Sequence, residues 1–224
     1  GGGEAPSFTE VSRGLTWLTE APNERRWMIV KSDDLPKLNS LYRLSHEKNL
    51  PVLDGRSSQI LLVSNQLGDH ANESPLASIV LDTPPSPRNP IDAAFEDQLD
   101  VIGWEVADRS GAVVDSVVPT VGYHLRTYYR VVHPIPGNWK AFVHIDGFQR
   151  RFNGDHTVVD GKYPMNLWLP GDTIVDDVEF QLEPNFTPGD YTVYFGFFSG
   201  DSRFRVARGP QHENRVVAGA IHVR

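Results

Sequence analysis

The chain contains no cysteine. Disulfide staples and thiolate metal sites are therefore excluded, although the compartment stays open. Basic charge is in deficit: 21 Lys and Arg stand against 29 Asp and Glu, for a formal net charge of −8. A nucleic-acid partner demands a basic surface that displaces counterions, so none is expected. An anionic bilayer surface is disfavoured on the same ground. No apolar run approaches the roughly 20 residues of a membrane span. There is no Walker loop, no dinucleotide fingerprint and no nucleophile elbow, since Ser57-Ser58 lacks the flanking glycines of G-x-S-x-G. No cofactor is expected. No signal segment is visible, and Gly1-Gly2-Gly3 reads as an appended or flexible lead-in to a piece of a longer protein.

What is present suffices for a sizeable core. The 224 residues are 39% hydrophobic and 10% aromatic, enough for one large or two small domains. Residues 1–82 read as a small α/β segment. An amphipathic helix is expected over 7–20, with Leu15, Trp17 and Leu18 as its apolar edge, and a short buried strand over 26–31. Asp33 and Asp34 before Leu35-Pro36 look like an acidic cap and a first-turn proline, so a helix should start there and carry Leu35, Leu38 and Tyr42 on one face. Two further strands are expected at 51–54 and 59–64. Residues 83–94, opening with TPPSPRNP, read as a Pro-rich linker.

From residue 95 the texture changes to short alternating segments with no helical pattern between them. Strands are expected at 99–106, 123–132, 139–146, 173–182, 191–198 and 215–223. Residues 95–224 thus read as an antiparallel β-sandwich, Ig-like or jelly-roll-like, and the whole chain as mainly β. Pro136-Gly137-Asn138, Pro170-Gly171-Asp172 and Pro188-Gly189-Asp190 each stand just before a strand. Proline presets φ at the second turn position and glycine accepts positive φ at the third, so each triplet is a chain reversal.

The chemistry-bearing residues cluster between 142 and 191. Alternation places Phe142, His144 and Asp146 on one strand face, with Ala141, Val143 and Ile145 on the other. His144 is expected to be either a hydrogen-bonded core histidine or a ligand contact. Asp176 shares a face with Ile174, Val178 and Phe180, which points a carboxylate inward at a cost of several kcal/mol, roughly, unless it is paired. Either a bulge turns it outward or it takes a partner such as His144 or His156 and pins a loop to the sandwich. His144, Asp146 and Asp176 therefore form the expected structural polar network. A polar loop at 154–163 gathers Asp155, His156, Asp160 and Lys162. Oxygen and imidazole ligands there could hold a divalent ion with His144, but no EF-hand, HExxH or compact His triad supports one. Trp168, Tyr163 and Asp155, with His156 and Asp160 beside them, could make a sugar platform, because pyranose rings stack on aromatic faces while carboxylates take the hydroxyls. The other outcome for Trp168 is a buried lid.

Several of these stretches together resemble a known module. Residues 95–104 (FEDQLDVIGW), 142–146 (FVHID), Asp155-His156, Trp168-Leu169-Pro170-Gly171-Asp172 with Asp176, and Pro188-Gly189-Asp190-Tyr191 through Gly196-Phe197 occur in the order and spacing of an extracytoplasmic β-sandwich. That module ends bacterial multi-spanning C-type glycosyltransferases, which resemble the dolichyl-phosphate-mannose–protein mannosyltransferases. Phe197 stands where the family usually has Tyr. Residues 33–65 also look like the segment between the last membrane span and this sandwich. The family's catalytic acids lie in loops near the first span, and no such loop is in this chain. The resemblance thus implies a non-catalytic periplasmic accessory module, tethered by upstream spans to a membrane-embedded part of the same parent chain. Its partner would be a carbohydrate, a lipid-linked sugar or a protein. A free-standing carbohydrate-binding or adhesion-type sandwich is the second expectation. A metal-dependent hydrolase built on His144, Asp155, His156 and Asp160 is the third.

Overall fold

The computed structural model describes residues 8–224; the Gly1–Gly3 lead-in and Ser7 lie outside them. The chain divides into two compact units, 1–82 and 83–224. The protein is mainly β, with several antiparallel sheets and a small helical N-terminal portion.

The first unit holds α1 (Phe8–Thr19), β1 (Trp27–Lys31), α2 (Leu35–His46), β2 (Val52–Asp54), β3 (Ile60–Ser64) and a two-residue strand β4 (Val80–Leu81). In α1 the buried residues are Val11 and Leu18, two turns apart on one face, whereas Trp17, expected on the apolar edge, is exposed beneath the Arg26 guanidinium. Sheet order β1-β3-β2 leaves β1 on an edge. The strand expected to be buried therefore exposes Trp27 and Ile29 instead. Asp34 makes no side-chain cap; residues Ser32–Asp34 form a 3-10 turn that feeds α2 directly. A buried polar knot holds the end of α2 to the following chain. Arg43 donates to Asp82 Oδ1 at 2.7 Å and to Asn49 Oδ1 at 3.0 Å, and Asn39 Oδ1 accepts the Leu50 amide at 2.9 Å.

The second unit contains β5 (Asn89–Phe95), β6 (Leu99–Asp108), β7 (Val113–Val114), β8 (Ser116–Val117), β9 (Gly122–Val131), β10 (Lys140–Gly147), β11 (Arg150–Asn153), β12 (Thr173–Gln181), β13 (Gly189–Ser199), β14 (Ser202–Arg203), β15 (Val206–Arg208), β16 (Gln211–His212) and β17 (Arg215–Val223). Residues 89–94, expected to be linker, are the body of β5. Proline is tolerated there because Pro90 lies at a register shift and beyond the part of β5 that pairs with β15. Gly103 of β6 lets this segment approach: a Cβ there would sit 2.5 Å from the Asn89 carbonyl oxygen.

One sheet runs β15-β5-β6-β9-β12, with β7 on β6; the other runs β11-β10-β13-β17-β16, with β14 on β13 and β8 on β17. Their inner faces meet through aromatics. Phe95 lies edge-on to Phe197 at 5.1 Å, and Tyr129 contacts Phe195 and Phe197 at 6.3 and 5.4 Å between centroids. Trp104 Nε1 crosses to the Ala218 carbonyl at 2.9 Å. Two of the three Pro-Gly triplets make the expected turn, whereas Gly189 of the third sits at φ +145° and already opens β13. Gly137 and Gly171 sit at φ +90° and +92°, and the Asp172 amide closes on the Leu169 carbonyl at 2.9 Å.

Candidate functional site

The site is built on the outer face of the second sheet, and strand alternation decides what belongs to it. In β10, Val143 and Ile145 face the core while Phe142, His144 and Asp146 face outward. The neighbouring β11 continues past its regular end. After His144↔Asn153, Val143 and Gly154 exchange backbone bonds at 2.7 and 3.2 Å, and Ala141 pairs with His156. The expected polar loop is therefore strand-like in its first part. This constant register sets Asp155 opposite Phe142 on the outer face and sends His156 inward.

His156 then reaches the opposite sheet. Its Nε2 lies 2.6 Å from Asp176 Oδ2, and Asp176 Oδ1 accepts the Val159 amide at 2.9 Å. Asp176 is only 3% exposed, so both oxygens are satisfied inside the core. Burial works against a charged His156 ring, but the hydrogen bond and charge of Asp176 outweigh it and hold the ring above its usual pKa. The turn that follows places Val159 and Asp160 at φ 49° and 56°. A β-branched residue in that region is an outlier, retained here by burial of Val159 and its bond to Asp176.

Trp168 and Tyr163 cannot be a sugar platform. They are 2% and 0% exposed, and the Trp168 indole donates to the Tyr163 carbonyl at 2.9 Å. The reason is local: a 3-10 turn at Met165–Leu167 folds the indole back before the Pro170-Gly171 reversal. Asp160 is exposed on its turn and does not line the cleft described next. The proposed His144, Asp155, His156, Asp160 metal set also fails, because alternation puts His156 and Asp155 on opposite faces. Among the described residues no three His, Asp or Glu gather to hold a metal ion.

What the outer face does hold is a cleft of about 280 Å³ lined by Phe142, His144, Asn153, Asp155, Phe198 and Arg203, with the Gly200–Ser202 turn closing one end. The β13–β14 hairpin supplies the latter group, with Phe198 paired to Arg203. The Arg203 guanidinium lies 5.0 Å over the Phe142 ring and donates to the Glu213 carbonyl at 2.9 Å. Phe198 lies 6.2 Å from Phe142 and is partly exposed, so it offers the ring face that Trp168 does not.

His144 is the floor. It is 6% exposed, its ring is tilted against Phe142 at 4.8 Å, and its Nδ1 lies 3.3 Å from Arg215 Nη1. A guanidinium can only donate, so Nδ1 accepts and the proton sits on Nε2. That N–H has no acceptor among the described residues. Burial, then the charges of Arg151 and Arg215, push His144 down to about 4, so the ring is neutral at physiological pH. Arg215 in turn lies 3.9 Å over Tyr194 and 3.4 Å from Asp146 Oδ2. Asp146 is gripped by Arg151 through two bonds of 2.8 and 2.7 Å. Burial alone would raise Asp146, but Arg151, with Arg215, holds it below the usual carboxylate range. His144 and Asp146 thus form one outward network and Asp176 with His156 a separate inward one. Arg203, Arg215, Phe198 and Asn153 were not anticipated; the phase of β10 and the hairpin before β17 were the available signals.

No family model matches the chain. No curated protein matches it either. Among solved structures it is similar to the crystal structure of the C-terminal domain of wzt, at 13% identity and a TM-score of 0.40, over 62% of this chain and 82% of that one. A likeness of that degree carries no argument about the ligand. Among the described residues, no helix is long and apolar enough to cross a membrane.

Proposed function

We propose that the second unit is a non-catalytic carbohydrate-binding module whose ligand lies in the outer-face cleft. The observation that carries this reading is the lining itself: a ring face at Phe198, acceptors at Asp155 and Asp201, donors at Arg203 and His144, and the amide of Asn153 around one volume of about 280 Å³. A sugar hydroxyl donates and accepts at once, so paired donors and acceptors around an aromatic face suit it. His144 argues against proton-transfer chemistry. With Nδ1 engaged by Arg215 and Nε2 protonated, the ring has no free lone pair with which to act as a base.

The resemblance to the C-terminal sandwich of membrane glycosyltransferases supports a further step. The chain then works as the extracytoplasmic accessory part of such an enzyme and holds glycan or lipid-linked sugar near a membrane-embedded catalytic portion. A reading frame with membrane spans upstream of Gly1 supports that context, and one with a secretion signal and no spans removes it. The binding reading itself is tested on a glycan array followed by titration. Asp155→Asn and Phe198→Ala should each weaken binding at least tenfold while circular dichroism is unchanged, on the basis of about 1.5–3 kcal/mol for a charge-assisted hydrogen bond or a ring contact. An array with no glycan bound ends the proposal.

A further inference from the structure

Arg203 lines the cleft without the ion pair that several other arginines of the chain make. In this acid-rich chain Arg151, Arg205 and Arg208 each hold a carboxylate at 2.7, 2.8 and 2.9 Å, and Arg215 reaches Asp146 at 3.4 Å. Among the described residues Arg203 has no carboxylate partner, although Asp155 and Asp201 line the same cleft. It donates to the Glu213 carbonyl, and its guanidinium carbon lies 5.0 Å from the centre of the Phe142 ring. An arginine held over a ring in a cleft, with N–H groups that no carboxylate takes, is a preorganised receptor for a planar anion.

The floor beside it points the same way. Three guanidiniums, Arg151, Arg203 and Arg215, act on the His144 ring against one carboxylate, Asp146. His144 adds an uncharged Nε2–H donor whose tautomer is locked by Arg215. Asp155 and Asp201 line the same cleft and can accept hydrogen bonds from hydroxyls.

We propose that this cleft recognises a sugar residue bearing a carboxylate, of the uronic-acid class. Arg203 and the His144 Nε2–H bind the carboxylate, while Asp155 and Asp201 bind hydroxyls and Phe198 covers the ring face. A planar monoanion matches the flat fork of Arg203. A phosphate dianion would face the two rim acids with twice the charge and fits less well. The inference rests on the carbohydrate-binding reading and narrows it.

The test uses the whole chain and the methyl glycosides of glucuronic and galacturonic acid, paired with those of glucose and galactose and with glucose 1-phosphate, in titrations followed by NMR. At least one acidic glycoside should bind roughly tenfold or more tightly than its neutral counterpart, with the difference shrinking at high salt. Arg203→Gln should abolish the preference, weakening the acidic glycoside more than its neutral counterpart, and Arg203→Lys should restore part of it. Both variants change a partly exposed side chain, and circular dichroism checks their fold. Neutral glycosides binding as well as acidic ones, the phosphate binding best, or Arg203→Gln leaving the acid preference intact overturns the carboxylate assignment while carbohydrate binding stands. No binding of any glycoside overturns both.

Discussion

His144 makes a pH prediction that can be worked from the structure. The ring's ordinary pKa is 6.5, and in the folded protein burial and the facing arginines push it to about 4. Between those two values the unfolded chain takes up a proton that the native chain refuses. Stability from this group is therefore complete above pH 6.5 and is lost as pH falls toward 4, at up to about 1.4 kcal/mol per pH unit and about 3 kcal/mol in all. His156 has the opposite sign. Its folded pKa is raised beside Asp176, so its contribution is full below 6.5 and fades as pH rises through the folded value. His144→Gln keeps a neutral acceptor for Arg215 and has no proton to gain. Urea unfolding of wild type and His144→Gln from pH 7.5 to 4.5 should show the wild-type advantage shrinking by most of those 3 kcal/mol. The first unit contains neither residue and cancels in the difference. Imidazole ¹⁵N spectra supply the direct check: His144 should stay neutral, with its proton on Nε2, until the pH nears 4. A midpoint near 6.5, a proton on Nδ1, or parallel pH slopes for the two proteins would refute the reasoning.

Three further outcomes follow from the same geometry. Trp168→Ala removes a fully buried indole and its bond to Tyr163, and should cost about 3–5 kcal/mol in chemical unfolding while the folded fraction keeps its glycan affinity. Asp176→Asn strips the charge from a buried pair with His156 and should cost about 3 kcal/mol, and it should also erase the decline of stability above pH 6.5 that His156 produces. In the β10–β11 hairpin the turn residues Phe148 and Gln149 sit at φ 48° and 61°, a turn type that favours Asn-Gly. Gln149→Gly should therefore raise the melting temperature by a few degrees, about 0.5–1 kcal/mol, as read by calorimetry.

The strands of the second unit were legible because their signals are local. Arg215–Val223 is rich in valine and isoleucine and is bounded by turn chemistry, and its observed limits coincide with the expected ones. Asn89–Phe95 was hidden because Pro90 reads as a breaker, and only a register shift in the third dimension makes it tolerable. Trp27–Lys31 was misjudged for a related reason. Apolar content in a short run says that a strand forms, not whether it lies at the centre or the edge of its sheet. Trp17 fails likewise: helical period names a face, and tertiary contact chooses Val11 and Leu18 over it.

The cleft was legible only in part, and the physical cause is that β10 is covered on both sides. Its inner row builds the core and its outer row the floor of the cleft, so hydropathy cannot separate a core histidine from a ligand contact, and His144 is in a sense both: buried to 6% and still lining the cleft. What did carry information was phase. Asp155 and His156 are adjacent, and in an extended edge segment adjacency means opposite faces. Once β11 is continued in register along β10, Asp155 must face outward and His156 must meet the other sheet. The charge partners lie beyond any such rule. Arg203 and Arg215 come from a hairpin and a strand more than fifty residues away in sequence, and their convergence on Phe142, His144 and Tyr194 is a product of sheet order β10-β13-β17. A reading from residue types alone finds the acids and the imidazole. It does not find the arginine without a carboxylate partner, because lacking one is a property of the folded state. That property, rather than the aromatic residues first singled out, is what gives the cleft a chemical preference to test.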